Sequence, residues 1–194
     1  MGRKNLKDER TDQILAAFGR CVAEHGLAGA TLERIAEYAD LGRPAIRHNI
    51  GNREAVIEAA MLRLATQHKA RYAAIVEALP DHDRTDALLR YLFTGPFSGP
   101  LDEEDAVIDE LFAVRHREPK VAALLDDAYR DLQRIITAEL MRDHPKAGQG
   151  QCTGVAYLIM ALAFGHSTYA GLGIGKRRGQ LALRQARAMV GALL

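Results

Sequence analysis

Apolar positions recur at spacings of three and four along nearly the whole chain. That period predicts amphipathic helices rather than strands. Ile14, Leu15, Phe18, Cys21 and Val22 mark the buried stripe of a first helix, Glu9 to Glu24, with Gly26 as the residue that ends it. Thr31 is a good N-cap for a second helix, with Glu33 in its first turn. There Leu32, Ile35, Ala36 and Ala39 share one face. A third, short helix buries Ile46 and Ile50, and Leu41 fills the corner before it. Asn52 caps a long fourth helix, Arg53 to Leu79, which Pro80 ends. Its apolar face runs through Ile57, Met61, Leu64, His68, Tyr72, Ile75 and Leu79. At 1.5 Å per residue it spans about 40 Å. Further helices are predicted at Arg84–Phe93, Asp102–His116, Pro119–Asp143, Cys152–Ala170 and Gln180–Leu194. Gly/Pro-rich loops fall at Thr94–Pro100 and His144–Gly150. No segment alternates with period two, so no sheet is expected.

The turn between the second and third helices is Asp40-Leu41-Gly42. Position 40 calls for a left-handed backbone, which Asp tolerates better than most residues. Pro44 falls in the first turn of the third helix, where a missing N–H costs little. From Leu41 to Arg53 the chain carries Arg43, Arg47, His48 and Arg53 and no carboxylate. A short helix that buries two apolar residues and exposes only cationic and neutral polar ones suits a DNA groove.

Composition adds bounds. The 194 residues allow one or two domains and a sizeable core. The net charge of +1 says nothing about nucleic acid, but its distribution does. Up to Arg53 there are nine bases against seven acids, with the bases concentrated in the N-terminal arm and the third helix. No apolar run is long enough for a membrane span, and MGRKNLKDER has no apolar core of a secretory signal. Cys21 and Cys152 lie in apolar helical context without ligand spacing, which points to reduced thiols and a cytoplasmic protein.

The stretch Thr31 to Glu54 resembles the TetR family of helix-turn-helix transcriptional regulators, whose pattern is T-x-x-x-I-A-x-x-A-G-V-S-x-x-x-L-Y-x-H-F-x-S-K-E. The chain matches at Thr31, Ile35, Ala36, Ala39 and Glu54, and conservatively at Leu41, Ile46, Ile50, Asn52 and Arg53. It departs with Asp40 for Gly, Gly42 for Ser, Arg47 for the usual Tyr, and Asn49 for the usual aromatic or His. Helix one, the linking helix, ELFAVRHREPKVAALLDDAYRDL and two closing helices rich in Ala and Leu look like the family's body. The resemblance implies an all-α protein. A three-helix DNA-binding head (1–52) joins, by a long helix, a helical-bundle body for ligand binding and dimerisation (53–194). It also implies a homodimer, a double-stranded DNA operator and often a small-molecule effector.

On this reading the DNA-facing residues are Thr31, Arg43, Pro44, Ala45, Arg47, His48, Asn49 and Arg53. Arg43, near a helix N-terminus, can bond a guanine edge bidentately. Arg47 and His48 are expected to hold phosphates, with a base contact open to the longer arginine. Arg53 is expected to meet a phosphate at the start of the linking helix. Thr31 serves as cap, phosphate donor or both. Arg3, Lys4 and Lys7 form either a minor-groove arm or a solvated terminus. His68, Tyr72, Phe112, His116, Tyr129 and Phe164 are candidate ligand contacts, as polar or aromatic tips on apolar faces. Phe97 lies in the loop expected to admit a ligand. Ala156, Ile159, Ala163, Ala170, Ala182, Ala186 and Val190 are the expected dimer surface.

No catalytic, metal or cofactor site is expected. The run Gly171 to Lys176 has the wrong glycine spacing for a phosphate loop, Arg177 where Ser or Thr should stand, and no preceding strand. The acids Asp102 to Asp105 read as a helix start, and no Glu-x-x-His motif is present. Two rival readings remain: a helical ligand-binding protein that has lost DNA binding, for which Asp40 and Arg47 are the warning residues, and a helical-bundle enzyme.

Overall fold

The computed structural model describes residues 2–95, 103–174 and 178–193. Phe97, Asp102, Lys176 and Arg177 lie outside them, as do the side chains of Arg3, Lys4 and Glu103 to Asp105. The described residues form helices and no strand. In chain order they are α1 (Gly2–Gly29), α2 (Leu32–Tyr38), α3 (Arg43–Asn49), α4 (Arg53–Ala78), α5 (Arg84–Thr94), α6 (Glu103–Val114), α7 (Pro119–Asp143), α8 (Gln149–Gly171) and α9 (Gly179–Gly191). The all-α expectation holds.

The chain divides into two compact units that do not follow its order. The first is residues 1–68 with 101–126, and the second is 69–100 with 127–194. The sequence division at Asn52 marks the start of α4. The compact units instead divide inside α4, and α6 joins the first.

In the first unit, Ile14, Leu15, Phe18, Cys21 and Val22 of α1 pack with Leu32, Ile35 and Ala36 of α2, Ile46 of α3 and Val56 of α4. The helical stripe read from the sequence is thus the core. α1 reaches back to Gly2, so Lys7 stands on a helix rather than an extended arm. The helix breaks at Gly26, where φ is 67°. Leu27 N–H, freed by the break, donates to Glu110 Oε2 of α6 at 2.9 Å. Val107 and Val114 of α6 pack on the same core.

In the second unit, Leu88, Leu89, Leu92 and Phe93 of α5 meet Leu132, Ile136 and Leu140 of α7, and Cys152, Ala156, Ile159 and Ala163 of α8. Ala182, Leu183, Ala186 and Val190 of α9 complete that core. The expected dimer surface is therefore corrected. Ala156, Ile159, Ala163, Ala182, Ala186 and Val190 are buried within their own chain, and only Ala170 is part-exposed. A buried ion pair ties α5 to α7: Arg84 Nε donates to Glu139 Oε2 at 2.6 Å and Nη2 to Oε1 at 3.1 Å. Arg84 also donates to the carbonyls of Val76, Leu79 and Pro80, where α4 ends.

Candidate nucleic-acid interface

The geometry of α2 and α3 follows from local chemistry. Thr31 caps α2, its Oγ1 accepting from Arg34 N–H at 3.3 Å. Asp40 adopts the left-handed backbone expected of it, with φ 51°. Leu41 N–H then returns to Ala36 O at 2.9 Å, closing the turn. Gly42 is the N-cap of α3 without a side-chain bond, and Pro44 sits in the first turn. Asn52 Oδ1 caps α4 by accepting from Ala55 N–H at 2.9 Å.

Ile46 is fully buried, so α3 is fixed to the core by one side. The rest of its surface exposes Arg43, Pro44, Arg47 and His48, with Arg43 toward α2 and Pro44 and His48 farthest from Ile46. Ala45 is half-buried beside Ile46. α1 braces the assembly. Gln13 Nε2 donates to Ala39 O at 2.6 Å and Arg20 Nη2 to Tyr38 O at 2.9 Å, both just before the turn. The Tyr38 hydroxyl donates to Glu24 at 2.5 Å, which pushes its pKa up to about 12.

Besides Thr31, three candidate DNA contacts are engaged within the protein. Arg53 is turned inward. Its Nε donates to Ala30 O at 2.8 Å and its Nη2 to Leu27 O at 2.5 Å. The orphan carbonyls at the end of α1 take the guanidinium that was expected on a phosphate. Asn49 Nδ2 donates back to Ala45 O at 2.7 Å. Arg43 Nη1 lies 2.9 Å from Glu33 Oε1 of α2. The Glu33 carboxyl is held below the usual carboxylate range, chiefly by a backbone N–H at the start of α2, with Arg43 and the Thr31 hydroxyl adding to it. Sequence reading missed Glu33 as a partner of Arg43, because the pair bridges two helices.

The candidate ligand residues are divided between the two units. His68, Phe112 and His116 belong to the first unit, and Tyr72, Tyr129 and Phe164 to the second. His116 is exposed in a turn, since α6 ends at Val114. Phe112 is half-buried with the Arg115 guanidinium over its ring, 5.5 Å from the centroid. Tyr129 and Phe164 meet edge to face at 4.7 Å. Tyr72 packs on the same core, and burial pushes its hydroxyl up to about 12. A separate open cavity of about 540 Å³ in the second unit is lined by Asp81, His82, Asp86, Asp143, His144 and Arg187, among others, and by none of the six candidates. Among the described residues no group of three or more His, Cys, Asp or Glu is arranged for a metal ion. Among them, too, no helix is long and apolar enough to cross a membrane.

These features define a helix-turn-helix within the first of the two helical units. No family model matches the chain. It is 32% identical over 120 residues to the HTH-type transcriptional repressor AcnR of Corynebacterium glutamicum, a match covering 53% of this chain and 62% of that repressor. The match thus spans less than two thirds of the relative's length. A TetR transcription regulator from Haloarcula marismortui superposes with a TM-score of 0.78 at 17% identity, over 96% of this chain and 99% of that one. A transcriptional regulator from Saccharomonospora viridis in complex with choline superposes with a TM-score of 0.76 at 18% identity, over 95% and 97% of the two chains. The fold is that of the TetR-family regulators, and the resemblance seen in the helix-turn-helix sequence extends in fold over 96% of the chain.

Proposed function

We propose that the chain is a DNA-binding transcriptional regulator, a repressor that binds a two-fold symmetric operator as a homodimer and releases it on binding a small molecule. One observation carries this reading. α3 buries Ile46 and exposes Arg43, Arg47 and His48 on a face without a carboxylate of its own. Arg47 and His48 contact phosphates, Arg43 addresses a base edge, and Pro44 and Ala45 let the groove wall approach closely. Asn49 orders the helix end, and Thr31 serves mainly as a cap. Arg53 serves the fold of the head and not the DNA. The similarity to a repressor and to TetR-type folds supports the same reading.

α8 is what supports the dimer. Its 23 residues include no Asp, Glu, Lys or Arg, and a helix apolar all round is normally covered all round. Yet Tyr157 is 63% exposed and Leu158 48%, with Tyr169 and Leu172 also exposed. A second copy meeting this face would cover it, and a two-fold operator then calls for the two α3 helices to lie about 34–36 Å apart. The effector is the third part. A regulator of this fold in complex with choline supports a small-molecule effector, and Tyr72, Tyr129 and Phe164 suit a largely apolar or aromatic compound.

Binding to the DNA upstream of the chain's own gene, followed by gel shift, tests the function. The expected result is a discrete complex that survives excess unrelated duplex. The absence of any sequence-selective complex would favour a ligand-binding protein without DNA function.

A further inference from the structure

The hollow between α2 and α3 is lined by Glu33, Ala36, Glu37, Asp40, Leu41, Gly42 and Arg43. Arg43 is the one base in this lining, facing three acids. Only Glu33 pairs with it, at 2.9 Å, and both side chains are half exposed. Glu33 is anchored in turn by the N-terminus of α2, which keeps it ionised. Arg43 is therefore neither free in solvent nor buried. It is tethered at the N-terminal end of α3.

We propose that Glu33 is a specificity-determining residue that positions Arg43 for one base edge and withholds it from the phosphates. The inference rests on the DNA-binding reading above. An arginine without a partner swings to the nearest phosphate and adds affinity for any sequence. One N–H group held by a carboxylate leaves the remainder of the guanidinium fork for a base. The same carboxylate repels the DNA backbone, so it weakens unspecific binding more than a complex in which Arg43 is on its base. Glu33 thus trades affinity for selectivity.

The test uses the full chain, as parent, Glu33→Gln, Arg43→Ala and the double variant. Each is titrated by fluorescence anisotropy against a duplex that the parent selects from random sequence and against an unrelated duplex of equal length. Circular dichroism checks that helix content is kept. Glu33→Gln should tighten binding to the unrelated duplex about threefold, the scale of an exposed charge pair. Binding to the selected duplex should stay within about twofold, so the ratio falls. Preference at one base pair should broaden, and this broadening should vanish in the Arg43→Ala background. A ratio that is unchanged or raised in Glu33→Gln, or broadening that persists without Arg43, overturns the role of Glu33 alone. A parent that selects no duplex overturns the DNA-binding reading and this inference with it.

Discussion

Arg84→Ala is expected to be among the most damaging single changes in the second unit. Arg84 is 7% exposed and Glu139 6%. The guanidinium makes two bonds to Glu139 and three to the carbonyls that end α4. Truncation leaves the Glu139 carboxylate buried without its cation. Breaking a buried pair by removing one partner costs about 3–5 kcal/mol. The α4 carbonyls add to this only as far as water cannot reach them. Against a total of about 5–15 kcal/mol, that is a large share. At about 2–4 °C per kcal/mol for a chain of this size, the melting temperature should fall by roughly 6–20 °C. Chemical denaturation measures the free-energy loss and a thermal scan the shift, both at fixed protein concentration, since the midpoint of an oligomer depends on concentration. The double change Arg84→Met with Glu139→Leu should recover most of the loss, because no charge is then left unpaired. A loss below about 1 kcal/mol for Arg84→Ala would refute the reasoning, since that is the scale of an exposed pair.

Other outcomes follow from the same interactions. Leu158→Glu on the exposed face of α8 should give monomers by light scattering with helix content kept, and a parent that is itself monomeric at micromolar concentration would contradict the dimer. Arg53→Ala should destabilise the first unit by about 2 kcal/mol or more in denaturant, as two charged bonds to the end of α1 disappear; a change in DNA affinity without loss of stability would restore a phosphate role. Asp86 lies between Arg187 and Arg90, and Arg187 above all holds its carboxyl below the usual value. The unfolded chain therefore takes up that proton first, so the pair's stabilisation is complete above about pH 4 and is lost as acid takes pH through the lower folded value. Acid unfolding of Asp86→Asn should accordingly depend less on pH than that of the parent.

Where local chemistry decides, the sequence was legible. Thr31 and Asn52 cap as their side chains allow, and Asp40 takes the left-handed backbone that its place in the turn demanded. Stripes at helical period became core wherever one face was polar, as in α1 and α2. The departures from expectation share a physical cause. α8 has apolar residues on every side, so periodicity cannot say which side faces its own chain. Ala163 and its neighbours turned inward, leaving Tyr157 and Leu158 outside. Arg53 carries the charge of a phosphate contact, and only the orphan carbonyls of α1, 23 and 26 residues earlier, reveal its use. Glu110 finds Leu27 across 83 residues, and Glu139 finds Arg84 across 55. Such pairs carry no local signature. α6 stops at Val114, so His116 stands in the turn after it and not on the helix expected to carry it.

The most direct test of the central claim is the salt dependence of DNA binding by the parent and by Arg47→Ala. Arg47 is exposed on the outer side of α3, and the core does not depend on it. If each protomer of the variant neutralises one phosphate fewer, the slope of log K against log salt should flatten by about two units per dimer, at about 0.9 per phosphate. Affinity for all sequences should fall together, while the preferred sequence stays the same. Identical slopes and affinities for parent and variant would mean that α3 does not lie against DNA.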